Sequence, residues 1–230
     1  VNDAIHRWFP APALRTIILF AIATVSSVAF MIIADEVHEG DADHLDAVVA
    51  LAVHRFDSPI GDAIMKAASF IGSYTVVIPI VILTAVLAIH AHKRRAAVIL
   101  TIDAVVVMTA NWLLKLYFSR QRPALFDKVP LPKSFSFPSG HSMCAVGIYG
   151  VVAAVLITLY PRSRSLVIAV TILLALMIGL SRVYLGVHWP LDVVAGFISG
   201  VPPLVVAVYL LHRAYGVPRA SARETTSRPQ

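Results

Sequence analysis

AAVILTIDAVVVMTANWLLKLYF, residues 96–118, is the stretch that decides the fold. It holds one carboxylate, Asp103, and one cation, Lys115, close to its end. A helix rising about 1.5 Å per residue over this length crosses a hydrocarbon core about 30 Å thick. Five more apolar runs follow the same pattern, at residues 16–34, 74–90, 142–160, 166–180 and 191–211. Together they predict an all-α polytopic bundle of six transmembrane helices. Composition agrees: 58% of the 230 residues are hydrophobic and 14% charged, against about 45–50% and about 25% in soluble domains.

The first run follows Arg7 and Arg15, as a signal peptide would, but it is longer than the roughly 7–15 apolar residues of such a segment. A retained helix is therefore expected. Between the first two runs the pattern changes. Leu45, Val48, Val49, Ala52, Val53 and Phe56 form one stripe at helical spacing; Ile60, Ala63, Ile64, Ala67, Ala68 and Ile71 form another. Each faces a polar side, which predicts two short amphipathic helices at the membrane interface. Asp57 and Pro59 read as a cap and a first-turn proline. The run Asp35, Glu36, His38, Glu39, Asp41, Asp43, His44 lacks rigid metal-ligand spacing and reads as a solvated loop. The one cysteine, Cys144, lies in an apolar run, so no intramolecular disulfide is available.

The formal charge of +6 could suggest nucleic acid, but Lys and Arg gather at the ends of the apolar runs. Eleven lie on the side of the termini, the Lys93, Arg94, Arg95 turn being the densest group, and eight on the other. That bias predicts cytoplasmic termini in a cell membrane and no nucleic-acid partner. Residues 1–215 read as one transmembrane domain and 216–230 as a polar, disordered tail.

Three polar clusters fall at the same end of the third to sixth runs, on the side away from the termini. They are Lys115 with Arg122-Pro123; Pro138-Ser139-Gly140-His141; and Ser181-Arg182 with His188 and Asp192. Lys115, Arg122 and Arg182 place three cations beside an apolar bundle, which calls for an anionic partner. The arginine fork matches phosphate oxygens and lysine serves as a point charge. Ser139, Gly140 and His141 open a helix, whose free N–H groups and dipole favour an anion. His188 and Asp192, four residues apart at a helix start, could set the imidazole's tautomer and support an imidazolium. One ring nitrogen could then attack phosphorus, with the other histidine protonating the leaving oxygen. Spacing alone does not choose between His188 and His141 as nucleophile.

These motifs resemble those of the phosphatidic acid phosphatase type 2 superfamily, Lys-x6-Arg-Pro, Pro-Ser-Gly-His and Ser-Arg-x5-His-x3-Asp, with no departure from Lys115 to Asp192. The layout is similar to the bacterial membrane-bound branch of undecaprenyl-diphosphate and phosphatidylglycerophosphate phosphatases. The resemblance implies that His188 is transiently phosphorylated, that Asp192 supports it, and that His141 is the acid and later the base. It also implies that Lys115, Arg122, Ser139, Gly140 and Arg182 bind the phosphate, with no metal or other cofactor.

A lipid phosphate or diphosphate is the expected substrate, undecaprenyl diphosphate ahead of phosphatidylglycerophosphate or phosphatidic acid. Arg120, Lys128 and Lys133 stand either as extra cations for a diphosphate or as surface charges. Two other classes share some of these features: a lipid transporter or flippase, and a vanadate-dependent peroxidase. Outside the motifs, Asp103 reads as a packing or helix-pairing residue, and Pro202-Pro203 as a kink. Tyr117, Phe118, Tyr184 and Trp189 read as an interfacial aromatic belt. Nothing in the sequence fixes the oligomeric state.

Overall fold

The computed structural model describes residues 11–40, 43–123, 125–126 and 128–216. The expected tail at 217–230 lies outside the described residues. Among the described residues eight α-helices follow one another: α1 (Ala11–Glu39), α2 (Asp43–His54), α3 (Pro59–Ile71), α4 (Tyr74–His90), α5 (Arg94–Phe118), α6 (Gly140–Leu159), α7 (Arg164–Tyr184) and α8 (Pro190–Tyr215). A 3-10 turn, Pro161–Ser163, leads into α7. Five of the described helices, α1, α5, α6, α7 and α8, are long and apolar enough to cross a membrane. The sixth span is composite, because α3 and α4 pass the same test only as a pair, bent by 49°.

Helix α6 is the axis of the bundle. Of its apolar window 61% is buried, against 11% for α1, which lies on the outside against α8. Around α6 stand α4, α5, α7 and α8. Lipid tails are as apolar as leucine, so close fit rather than water exclusion holds such helices together. The tightest seam is α6 on α8. A Cβ on Gly196 would lie 2.6 Å from the Ser139 carbonyl oxygen, and one on Gly200 would lie 2.8 Å from that of Met143. Backbone therefore meets backbone there. Larger residues such as Leu100, Val107, Ile148, Val151 and Val155 fill the rest of the interior, while Val25, Ile82, Val105 and Leu173 face outward.

Several local expectations need correction. Helix α3 is capped by Ser58, not Asp57: Ser58 Oγ accepts the Gly61 N–H at 3.0 Å, with Pro59 next in the helix. Asp57 is used elsewhere, on Lys128 and on the Tyr184 hydroxyl. The acidic, histidine-rich stretch is not a loop. Asp35 to Glu39 continue α1, and Asp43 and His44 begin α2, because the helical register runs past the apolar run at both ends; Asp41 lies outside the described residues. Neither amphipathic helix lies apart from the bundle, since α2 packs on α7 and α8, and α3 on α7 and α4. Pro202 and Pro203 sit inside a continuous α8. Tyr184 is buried rather than interfacial, its hydroxyl accepting the Ser58 N–H at 3.1 Å. Asp103 is buried on α5, and its Oδ2 has no hydrogen-bond partner, so that oxygen pairs no helices.

Candidate active site

The C-terminal ends of α5 and α7 and the N-terminal ends of α6 and α8 meet at one end of the bundle. Each expected site residue sits at or just beyond one of these ends. Ser139 caps α6: its Oγ accepts the Ser142 N–H at 3.5 Å and the Ser142 hydroxyl at 3.0 Å. Its own N–H donates to the Asp192 carbonyl at 2.9 Å, tying the start of α6 to the start of α8. Gly140 is required by close approach, since a Cβ there would meet Asn111 Oδ1 at 2.7 Å. Asn111 in turn donates to the Pro138 carbonyl at 3.3 Å.

His188 lies in the short connection between α7 and α8 and is 2% exposed. Its N–H donates to the Arg182 carbonyl at 3.2 Å, which anchors the connection on α7. Its Nδ1 is 3.2 Å from Asp192 Oδ2, and its Nε2 is 3.1 Å from Arg122 Nη1. A guanidinium only donates, so Nε2 must be the acceptor and Nδ1 must carry the proton, which Asp192 accepts. The two contacts specify the same tautomer, with the Nε2 lone pair facing the cations. Burial pushes the His188 pKa well below its ordinary value; Asp192 opposes that shift, while Lys115 and Arg122 add to it. The neutral, nucleophilic ring is thus the resting form at neutral pH.

Asp192 is fully buried and fully used. Its Oδ2 accepts the Trp189 N–H at 3.0 Å, closing the first turn of α8, and also the Ser136 hydroxyl. Ser136 Oγ lies 3.3 Å from His188 Nδ1 as well. Arg120 Nη1 donates to Asp192 Oδ1 at 2.9 Å. Arg122 is held by backbone: Nε donates to the Ser134 carbonyl at 2.8 Å and Nη1 to that of Val187 at 2.5 Å. Its pKa is lowered by burial and partly restored by Asp192, yet an arginine keeps its proton. Lys115 Nζ donates to the Phe135 and Ser136 carbonyls at 2.7 and 2.9 Å. Arg182 is buried, bonds Ser69 of α3 through Nη1, and leaves Nε without a partner.

His141, on the first turn of α6, is half-buried with Arg182, Arg122 and Lys115 as its charged neighbours and the Ser69 backbone within reach. Lys115 and Arg122 act on His188 too. Lys115 and Arg122 are thus shared by the two imidazoles, and Arg182 adds a third cation on the His141 side. Among the described residues no group of three or more His, Cys, Asp or Glu is placed to hold a metal ion.

Two cations read from the sequence as free for substrate are not free. Arg120 is committed to Asp192, Asp43 and Asp46, and Lys128 to Asp57 and Asp62. Each carboxylate belongs to α2, α3, α8 or the connection between α2 and α3, parts of the chain whose placement the sequence did not specify. Sequence reasoning also passed over Ser136, Ser69 and Asp46, and gave Arg120 to the substrate rather than to Asp192. Arg120 carried one signal, its place inside the Lys-x6-Arg interval; the others carried none.

The arrangement defines a class: a polytopic membrane phosphatase whose anion pocket is built from helix ends. The pattern of the PAP2 superfamily matches residues 94–215, and the chain belongs to that superfamily. Phosphatidylglycerophosphatase B of Bacillus subtilis is 29% identical over 177 residues, covering 75% of this chain and 86% of its own. An undecaprenyl-diphosphatase of Sulfolobus acidocaldarius is 33% identical over 122 residues, covering 51% of this chain and 56% of its own. Among solved structures, a transmembrane PAP2-type phosphatidylglycerolphosphate phosphatase from Bacillus subtilis superposes with a TM-score of 0.76 at 26% identity, over 80% of this chain and 93% of that one. LpxE of Aquifex aeolicus superposes with a TM-score of 0.57 at 25% identity, over 71% and 94%. The chain is a multi-pass membrane hydrolase of the PAP2 lipid-phosphatase family.

Proposed function

We propose that this protein removes the terminal phosphate of a membrane lipid through a phosphohistidine on His188, without a metal. The observation that carries the reading is the fixed tautomer of His188, proton on Nδ1 toward Asp192 and lone pair on Nε2 toward Arg122. The Nε2 lone pair forms a bond to phosphorus while the bond to the leaving lipid oxygen breaks. His141 gives its proton to that oxygen. Lys115, Arg122, Arg182 and the N–H groups opening α6 at Ser139 and Gly140 carry the charge of the five-coordinate phosphorus. His141 then takes a proton from water, the hydroxide attacks phosphorus, and the P–N bond breaks to return the lone pair to His188.

A phosphate ester of glycerolipid type ranks ahead of a polyprenyl diphosphate, reversing the order drawn from sequence. The spare cations that favoured a diphosphate, Arg120 and Lys128, are tied to carboxylates. The Bacillus subtilis relative, matched over 177 residues, is a phosphatidylglycerophosphatase B. Phosphate release from a panel of purified lipid phosphates in detergent tests the ranking. Fastest turnover of phosphatidylglycerophosphate or phosphatidic acid supports it, and a strong preference for undecaprenyl diphosphate overturns it. The site opens on the face opposite the Lys93, Arg94, Arg95 turn, because α5 begins at that turn and ends beside Lys115. Charge bias makes the turn cytoplasmic, so catalysis faces outward.

A further inference from the structure

Arg120 binds three carboxylates from two elements, α2 and α8. Nη1 donates to Asp192 Oδ1 at 2.9 Å, while Nη2 donates to Asp43 Oδ1 and Asp46 Oδ2, both at 2.8 Å. Asp46 is fully buried, and its second oxygen accepts the Leu191 N–H at 2.8 Å, in the first turn of α8. The guanidinium also lies over the Trp189 ring, 5.5 Å from its centroid. A buried ion network is a poor way to gain stability alone, since apolar residues of equal volume serve as well or better. Its position suggests another role. It ends on the carboxylate that touches the reacting histidine.

We propose that Arg120 and Asp46 are positioning residues for this phosphatase: Arg120 holds Asp192 in line with His188 Nδ1, and Asp46 offsets the arginine's charge so that Asp192 can support an imidazolium. The proposal rests on His188 being the nucleophile. Without Arg120, Asp192 would lose the partner that fixes Oδ1. Without Asp46, a nearly bare guanidinium would compete with His188 for the same carboxylate. Burial raises the Asp46 pKa, opposed by the Leu191 N–H and Arg120, and burial disfavours charge on Arg120, outweighed by Asp192, Asp43 and Asp46. Helix α2 acquires a function as well, as the element that carries Asp46 to the start of α8.

The charged groups that act on His188 are Asp192 from α8, Lys115 from α5 and Arg122 from the connection after α5. Arg120 and Asp46 act behind Asp192. Only neutral His188 attacks, so kcat/KM rises with pH through its pKa. Asp46→Asn, near-isosteric, removes a negative charge, disfavours the imidazolium, and should move this acid limb to lower pH. Arg120→Gln removes a positive charge and should move it to higher pH, by about 0.5–1 unit in each case. Arg120→Lys keeps the charge but loses the fork. Its limb should stay near wild type while kcat falls about tenfold or more and KM changes little. Asp43→Asn should move the limb least, since that carboxylate is 67% exposed.

These profiles would be recorded with an aryl phosphate and a lipid phosphate in detergent, beside His188→Ala. Opposed shifts of Asp46→Asn and Arg120→Gln establish the proposal. Limbs that coincide with wild type, or move together, overturn it. If Arg120→Gln does not fold, an unmoved limb in Asp46→Asn or a wild-type kcat in Arg120→Lys suffices to overturn it. Turnover by His188→Ala would instead remove the catalytic reading on which it rests.

Discussion

In the proposed mechanism two histidines with different surroundings carry the chemistry. His188 has a carboxylate behind it and a lone pair in front, whereas the charged neighbours of His141 are three cations. His188→Ala should abolish turnover, by about 10⁴-fold or more, while the protein still binds vanadate through Lys115, Arg122 and Arg182. His141→Ala should lose lipid hydrolysis by about 10²–10⁴-fold yet retain more activity toward a nitrophenyl phosphate, whose leaving group needs no proton. Equal losses on both substrates would count against His141 as the acid. The motif residues were legible in the sequence because their chemistry is specific at fixed spacing. Choosing between the histidines was not, as that depends on which nitrogen Arg122 faces, a matter of three-dimensional placement.

Helix ends do the positioning, and the α6–α8 seam sets their depth. Gly200 lies where any side chain would strike backbone, Met143 O at 2.8 Å and Gly147 N at 2.9 Å. Gly200→Val should therefore push α8 off α6, costing about 1–3 kcal/mol and loosening the Ser139-to-Asp192 bond that joins the two helix starts. A lower melting temperature in detergent together with reduced kcat is the expected result; unchanged values of both would refute the close approach. Long spans such as α5 and α8 could be read from hydropathy because lipid admits little else. Helices α2 and α3 were harder. Their polar faces suggested water, yet the Asp46 face meets a buried arginine, and α3 completes a span only through its bend into α4. A polar face on a short helix has the same sequence signature in either setting.

At the scale of the molecule, one end carries the proposed site and the other the basic turn. With Cys144→Ser as background, Lys133→Cys and Ser163→Cys lie in exposed positions at opposite ends. A membrane-impermeant maleimide on intact cells should label Lys133→Cys and spare Ser163→Cys; the reverse pattern would place catalysis in the cytoplasm. Lys133 suits this test better than Lys128, which is engaged by Asp57 and Asp62. The pocket's charge is supplied by Lys115, Arg122 and Arg182, so activity should survive EDTA, with vanadate inhibiting as a mimic of five-coordinate phosphorus. Loss of activity in EDTA that Mg²⁺ restores on a monomeric substrate would contradict that.

The most direct test is to find the phosphoryl group in transit. His141→Ala should slow attack by water on the intermediate, so a nitrophenyl phosphate, quenched in alkaline denaturant to preserve phosphohistidine, should leave one phosphoryl group on the enzyme. Mass spectrometry of the peptide spanning α7 to α8 should place it on His188, with none in a His188→Ala, His141→Ala double variant. Continued turnover with no phosphoryl group on His188, or with that group on another residue, would contradict the mechanism at its centre.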